Sequence, residues 1–292
     1  MIKKKEGEIM DDIVIVGTSI IDQVMTLKAS FSEFGCNKVD QFIDHGGSMR
    51  NIAETCAMLG LSTDFISKFG NDDNALAIIN RLTKLNVNVY GPTIDLPTPI
   101  FMKVEGDKEL MFATTTPTFM LNTNDNIPVA ALKDHQYGIT DNQDPSFLSY
   151  LIKHSDQTKW VISSYIPDQF YFDKIEGVIL NLREFNAHTS TSNIDEELLK
   201  LHQKGLSWII VTLGEKGCVY LYESKVHYVS TPIKKGFTLG CGDAFTSGII
   251  YGLCKSWSIH KTIELANKLA SLTLDCPNSV CLTTDHELLK DL

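Results

Sequence analysis

Short, nearly uninterrupted apolar runs recur along this chain, and a helical pattern follows most of them. Ile13-Val-Ile-Val-Gly17 is the first, and Asp64–Lys68, Trp160–Ser163, Val178–Asn181, Trp208–Thr212 and Cys218–Tyr222 come after it. A strand that is apolar throughout needs cover on both faces, and helices between successive strands supply it. Ser48–Leu59 places Ile52, Ala53, Cys56 and Leu59 on one helical face, with Gly60 where a C-cap glycine belongs. Leu76, Ile79, Leu82 and Leu85 repeat at helical spacing, and Asn86 ends that pattern. Further helical stretches lie near Ser146–His154, Asp195–Lys204, Asp243–Cys254 and His260–Leu274. The alternation predicts a doubly wound α/β fold, a mostly parallel sheet with helices on both faces. Its 292 residues form one domain, 1–292, a length that α/β folds reach without splitting.

Two segments break the rhythm. Val24–Asp44 precedes a Gly46-Gly47 pair, and Pro99–Ala113 reads as two strands, Ile100–Val104 and Glu109–Ala113, around a turn at Glu105-Gly-Asp-Lys108. Together they predict a small β lid over the site at the strand C-termini. The polar stretch Asn122–Asp144 reads as surface loops.

Composition narrows the function. A net charge of −10 with no basic stripe argues against a nucleic-acid polymer as partner. No apolar run approaches the ~18–20 residues that span a bilayer, and the charged Met1–Asp12 segment has no secretory h-region, so Lys3, Lys4 and Lys5 read as a solvated tail. Seven cysteines, an odd number without a CxxC, read as reduced thiols in a cytoplasm rather than as disulfides or zinc ligands. The eight histidines form no HExxH.

Four segments carry chemistry. In Thr238-Leu-Gly-Cys-Gly-Asp-Ala-Phe245, a glycine turn feeds a helix, and the N–H groups of Gly240, Cys241, Gly242 and Asp243 can converge on an anion. Phosphoryl transfer needs such a cradle, and Asp243 can take the proton from an attacking hydroxyl. Gly46-Gly47-Ser-Met-Arg-Asn51 opens another helix with an amide one turn in, which suits a polyhydroxylated ligand. Val211-Thr-Leu-Gly-Glu-Lys-Gly217 runs from a strand into a Gly-x-x-Gly turn, and Asn181-Leu-Arg-Glu184 can hold magnesium through water. Each alone also reads as an ordinary helix start or turn.

Their order and spacing resemble the ribokinase-like (PfkB) carbohydrate kinases, from Ile13 to about Val280. Gly17–Asp22 resembles that family's first strand and sugar-contacting Asp, and Gly46, Gly47 and Asn51 its N-terminal signature. Phe69-Gly-Asn-Asp72 resembles its Gly-x-Asp turn. The resemblance implies ATP as phosphate donor, Asn181 and Glu184 on the Mg²⁺ side, Thr212, Gly214, Gly217 and Asn267 on the nucleotide side, and Asp243 as the base beside Gly240, Cys241 and Gly242. Phe237 stands where the family usually carries Asp before Thr238, which leaves a monovalent cation open as a further cofactor, and Cys241 replaces the usual Ala.

Within the family, Gly47-Ser-Met-Arg-Asn-Ile-Ala-Glu54 and Ala270–Pro277 resemble pseudouridine kinases, so pseudouridine leads as substrate. Ribose, fructose-type and adenosine-type acceptors are the alternatives. A catalytically silent ligand-binding sensor of the same fold is a competing class. NAD chemistry is excluded because Gly17-Thr-Ser-Ile-Ile lacks G-x-G-x-x-G, and a P-loop is absent. Lid edges invite a second subunit, giving a homodimer, while a monomer is equally allowed.

Overall fold

The computed structural model describes residues 11–107, 109–114, 117–189, 193–283 and 286–288. Lys3–Lys5 and the turn residue Lys108 lie outside these. The strands are β1 (Asp11–Val16), β2 (Ile20–Leu27), β3 (Val39–Gly46), β4 (Thr63–Ile66), β5 (Phe69–Gly70), β6 (Asn88–Tyr90), β7 (Thr93–Ile94), β8 (Ile100–Glu105), β9 (Leu110–Ala113), β10 (His135–Thr140), β11 (Lys159–Ser163), β12 (Gly177–Asn181), β13 (Ile209–Thr212), β14 (Cys218–Tyr222) and β15 (Lys225–Val229). The helices are α1 (Ser48–Met58), α2 (Asp73–Lys84), α3 (Pro145–His154), α4 (Leu182–His188), α5 (Ile194–Gln203), α6 (Cys241–Cys254) and α7 (Ile259–Thr273).

Nine strands form the main sheet in the order β15-β14-β13-β12-β11-β10-β1-β4-β6. It is parallel from β13 to β6 and antiparallel at β14 and β15. β1 shows why. Ile13, Val14, Ile15 and Val16 are all fully buried; Ile13 and Ile15 pack with α1, α2, α6 and α7, while Val14 and Val16 pack with α3, α4 and α5. Alternate side chains point to opposite faces, so a strand apolar at every position holds helices on both.

The lid is a separate sheet, β3-β2-β8-β9. The expected hairpin is present, with Phe101 opposite Ala113 and Val104 opposite Leu110. The lid starts earlier than the sequence suggests. Asp22 belongs to β2, paired opposite Asp44 of β3, rather than to the first strand. Gly17, Thr18 and Ser19 interrupt the chain between β1 and β2.

Three further expectations are corrected. The stretch Asn122–Asp144 is not all surface loop, because its residues 135–140 form β10, a central strand between β1 and β11. His-Gln-Tyr-Gly-Ile-Thr carries no apolar run of its own; the Trp160 ring of β11 covers Gly138 so closely that a Cβ there would lie 2.8 Å from Trp160 Cε3. In α2 the buried face is Ala75, Ile78 and Leu82, and Leu76 points outward, 57% exposed. The cysteines are not all thiols. Cys276 and Cys281 form a disulfide across a Cα separation of 6.1 Å, because the intervening turn folds residues with no CxxC spacing together.

Among the described residues no helix is long and apolar enough to cross a membrane. The helix that carries Asp243, α6, is anchored by its close approach to α7. A side chain at Gly248 would place a Cβ 2.5 Å from Ala266 Cα. Gly248→Val is therefore expected to lower stability by roughly 1–3 kcal/mol, read as a lower urea midpoint at unchanged slope; an unchanged midpoint would mean that the two helices separate without cost.

Candidate active site

The first turns of α1 and α6 meet across the C-terminal ends of the parallel strands, where α/β sheets bind ligands. Gly47, with φ +95°, is the N-cap of α1, and Gly240, with φ +81°, is the N-cap of α6. Both turns sit in the left-handed region where glycine is unstrained. Gly240 also lies against the Ser279 carbonyl, leaving no space for a Cβ. Between the two helix starts, Asn51 Nδ2 donates to Asp243 Oδ2 at 2.7 Å.

A cavity of about 160 Å³ opens beside this pair. Ser48 borders it from α1, Gly242, Asp243 and Thr246 from α6, Asn181 and Glu184 from the β12–α4 junction, Thr212 from β13, and Ser164 from the end of β11. A Cβ at Gly242 would meet nothing within 4 Å, so this glycine leaves the cavity floor open. Gly240 and Cys241 lie behind it; the Cys241 N–H faces the Thr238 carbonyl at 3.4 Å and its thiol the Phe237 carbonyl at 3.5 Å. Burial and the nearby Asp243 charge push that thiol up to about 11. The anion cradle at the mouth of α6 thus comes down to the Gly242 and Asp243 end, whose N–H groups lack intrahelical acceptors.

Asn181 and Glu184 form a capping box: Asn181 Oδ1 accepts from the Glu184 N–H at 2.9 Å, and Glu184 Oε2 from the Asn181 N–H at 2.8 Å. The same pair faces the cavity. Burial raises the Glu184 carboxyl against these hydrogen bonds and one from Ser164, whose backbone sits at φ +69°. Thr212 ends β13, and Gly214 and Gly217 flank the short turn into β14. Gly217 abuts the Val229 carbonyl, so its glycine serves the turn itself. Asn267 lies half-buried on α7, next to the Ala266 that packs on Gly248, and is not part of the cavity wall. Asp72, in the Gly-x-Asp turn, caps α2 and accepts from Thr98 N–H at 2.7 Å, fixing the approach to β8.

On the lid side, the Asp22 carboxylate occupies the space that a side chain at Gly46 would fill. Ser279 Oγ donates to Asp22 Oδ2 and Asn278 Nδ2 to Asp44 Oδ2, each at 2.8 Å, so the disulfide-closed loop 276–281 is tied to β2 and β3. Burial raises Asp22 to about 6.

Sequence reasoning missed Asp141. It follows β10, packs its Oδ1 against Gly17, and interacts with Asp243 and Glu184. Burial first, then those two charges, raise it to about 7. An acidic residue directly after a parallel strand is a usable signal, but only once β10 is recognised as a strand. Burial also raises Asp243, opposed by hydrogen bonds from Asn51 and Ser48 and by the Arg50 charge.

Glu184 and Asp243 border this cavity at the N-terminus of α6, and Asp141 lies close enough for its charge to couple to both. The profile described as pfkB family carbohydrate kinase matches residues 10–284, and the chain belongs to that family, the ATP-dependent sugar and nucleoside kinases. It is 21% identical over 310 aligned positions to an ATP-dependent 6-phosphofructokinase of Thermoanaerobacterium thermosaccharolyticum, covering 96% of this chain and 93% of that one. It is 24% identical to fructokinase-2 of Zea mays, over 82% of this chain and 79% of that one. The structure of Arabidopsis thaliana ribokinase complexed with ribose and ATP superposes with a TM-score of 0.74 at 18% identity, over 92% of this chain and 94% of that one, a likeness of fold.

Asp141 carries a stability consequence. Its folded value of about 7 lies above the ordinary 3.8, so between these values the folded protein holds a proton that the unfolded chain has lost. Stability then falls as pH rises through that window. Asp141→Asn is expected to raise stability by on the order of 1–2 kcal/mol at about pH 8 and by little near pH 4. A pH-independent effect in thermal melts would contradict the buried, raised carboxyl.

Proposed function

We propose that this kinase transfers the γ-phosphate of ATP to a hydroxymethyl group of a sugar or nucleoside, with pseudouridine as its acceptor. The observation that carries the reading is the Asn51–Asp243 hydrogen bond at the mouth of α6, directly beside the cavity. Asp243 accepts the proton of the attacking hydroxyl, and the Gly242–Asp243 end of α6 stabilises charge on the phosphoryl group in transit. Asp22, Gly46, Gly47 and Asn51 bind the acceptor's hydroxyls from the lid side. Thr212 and the Gly214–Gly217 turn face the nucleotide, and Asn267 supports that side from α7. The choice of pseudouridine rests on the resemblance of Gly47-Ser-Met-Arg-Asn-Ile-Ala-Glu54, of the missing Asp before Thr238 and of Ala270–Pro277 to pseudouridine kinases.

The donor set fits Mg²⁺. Among the described residues no group of three or more His, Cys, Asp or Glu is arranged to hold a metal directly. Glu184 and Asn181, which border the cavity, would instead offer oxygen atoms to a hydrated ion, the form in which Mg²⁺ binds beside phosphates. When bound, it neutralises phosphate charge. Outer lid strands β3 and β9 leave Ile43, Met111 and Phe112 about half exposed, and a second lid is the partner proposed for them; a monomer mass by light scattering would remove that part.

ADP release with Mg²⁺ and ATP should be measured against pseudouridine, uridine, adenosine, ribose and fructose. Turnover is expected with pseudouridine and should fall by about 10³-fold or more in Asp243→Asn, with the fold retained. The rate of the active enzyme should decline as pH drops and Asp243 takes up its proton. Turnover with another acceptor alone would discard pseudouridine; a fully active Asp243→Asn would remove the base.

A further inference from the structure

Arg50 is fully buried inside the first turn of α1, next to Asn51. Its Nη1 donates to Glu54 Oε2, and its Nη2 donates to the His45 carbonyl at 2.7 Å and to Asn51 Oδ1. Glu54, equally buried, is gripped from the other side by Arg81 of α2, with Nε to Oε1 at 2.8 Å and Nη2 to Oε1 at 2.6 Å. Arg81 Nη1 stands 3.5 Å from Asp44 Oδ1. The planar fork of a guanidinium can hold two acceptors in fixed directions, which a lysine ammonium cannot reproduce.

This geometry decides which end of the Asn51 side chain meets Asp243. An amide presents an acceptor at one end and donors at the other. Because Asn51 Oδ1 receives Arg50, Nδ2 is the end turned to Asp243 Oδ2. Without that donor, a flipped amide would set oxygen against carboxylate.

We propose that Arg50 is a positioning residue for phosphoryl transfer: it fixes the polarity of the Asn51 amide and so holds the Asp243 carboxylate in its proton-accepting orientation. The inference rests on Asp243 acting as the base. The charge environment agrees with it. Asp22 and Asp44 of the lid, Glu54 of α1, Asp141 after β10 and Glu184 of α4 are all acidic around this centre, and Arg50 is the cation whose charge acts on Asp243. Arg81 offsets Asp44 and Glu54 from the far side.

The test is a double-mutant cycle on kcat and KM across pH, using the acceptor that the wild-type enzyme turns over. Arg50→Lys keeps a cation beside Glu54 while losing the fork. It is expected to lower kcat by roughly 10- to 100-fold, the loss a misplaced catalytic group brings, with the KM for ATP within about twofold. In an Asn51→Ala background the same change should cost nothing further, since a residue that acts only through Asn51 has no effect once Asn51 is gone. Arg50→Met with Glu54→Leu removes the buried pair together and leaves the part-exposed Arg81 its contact with Asp44; its acid limb in the pH profile of kcat/KM should move upward, which simple loosening of the fold would not produce. A wild-type rate in Arg50→Lys, or losses for Arg50→Lys and Asn51→Ala that multiply, overturns the positioning role while leaving the kinase reading intact. Absence of turnover in the wild type, or full activity in Asp243→Asn, overturns the kinase reading and the positioning role with it.

Discussion

The hydrogen bond from Asn51 to Asp243 joins two helix starts that are 192 residues apart in sequence. Neither helix could reach the other without the sheet beneath them. β1 ends just before the Gly17 turn, β3 runs into α1, and α6 packs against α1 and β10. The glycine N-caps at 47 and 240 let both chains turn sharply enough for the two first turns to meet. The cavity is arranged around that meeting point, with the β12–α4 capping box on one side and Ser48 of α1 on the other.

Concentrating carboxylates there sets a second constraint. Asp22, Asp141 and Asp243 are each pushed above the ordinary range by burial, which means that the fold holds them against their preference for water. Ser279, Asn51 and Ser48 donate into this cluster, and Arg50 supplies the buried positive charge. Arg50 in turn needs Glu54 and, through it, Arg81. A chain of ion pairs therefore runs from the rear of the cavity to the surface of α2. Such a chain stabilises little by itself, since desolvation offsets much of the attraction; its contribution is direction, with each fork and carboxylate fixing the next.

Local signals in the sequence were legible. The glycine turns before Ser48 and Cys241, the hairpin around residues 100–113, the helix end at Gly60 and the left-handed Asn86 all depend on neighbours within a few residues. The Asn181–Glu184 spacing was visible too, although its capping geometry was not. What stayed hidden depended on distant partners. β10 is a strand because β1 and β11 flank it and Trp160 covers Gly138, so its own residues carry no pattern. Asp141 disappeared with it. Cys276 and Cys281 meet because the turn after α7 docks on the lid, and Asp22 sits on β2 because Gly17–Ser19 break the strand. In α2, Leu76 fits a helical stripe on paper, yet Ala75 and Ile78 take the core because the helix packs against β5 and β6.

The strand order has a consequence for synthesis on the ribosome. β1, made first, is the seam of the sheet, but one of its flanking strands, β10, emerges more than a hundred residues later. Until then β1 has a neighbour on only one edge. α6 and the loop at 276–281 come later still, after β15 has completed the sheet. A nascent chain that has built its sheet still has one face of β1 bare of α6, an apolar surface exposed to other chains. It also lacks Asp243 and the glycine turn before α6. Vectorial synthesis thus leaves the meeting of Asn51 with Asp243 until after the sheet is built, so that the sheet forms before the two helix starts join.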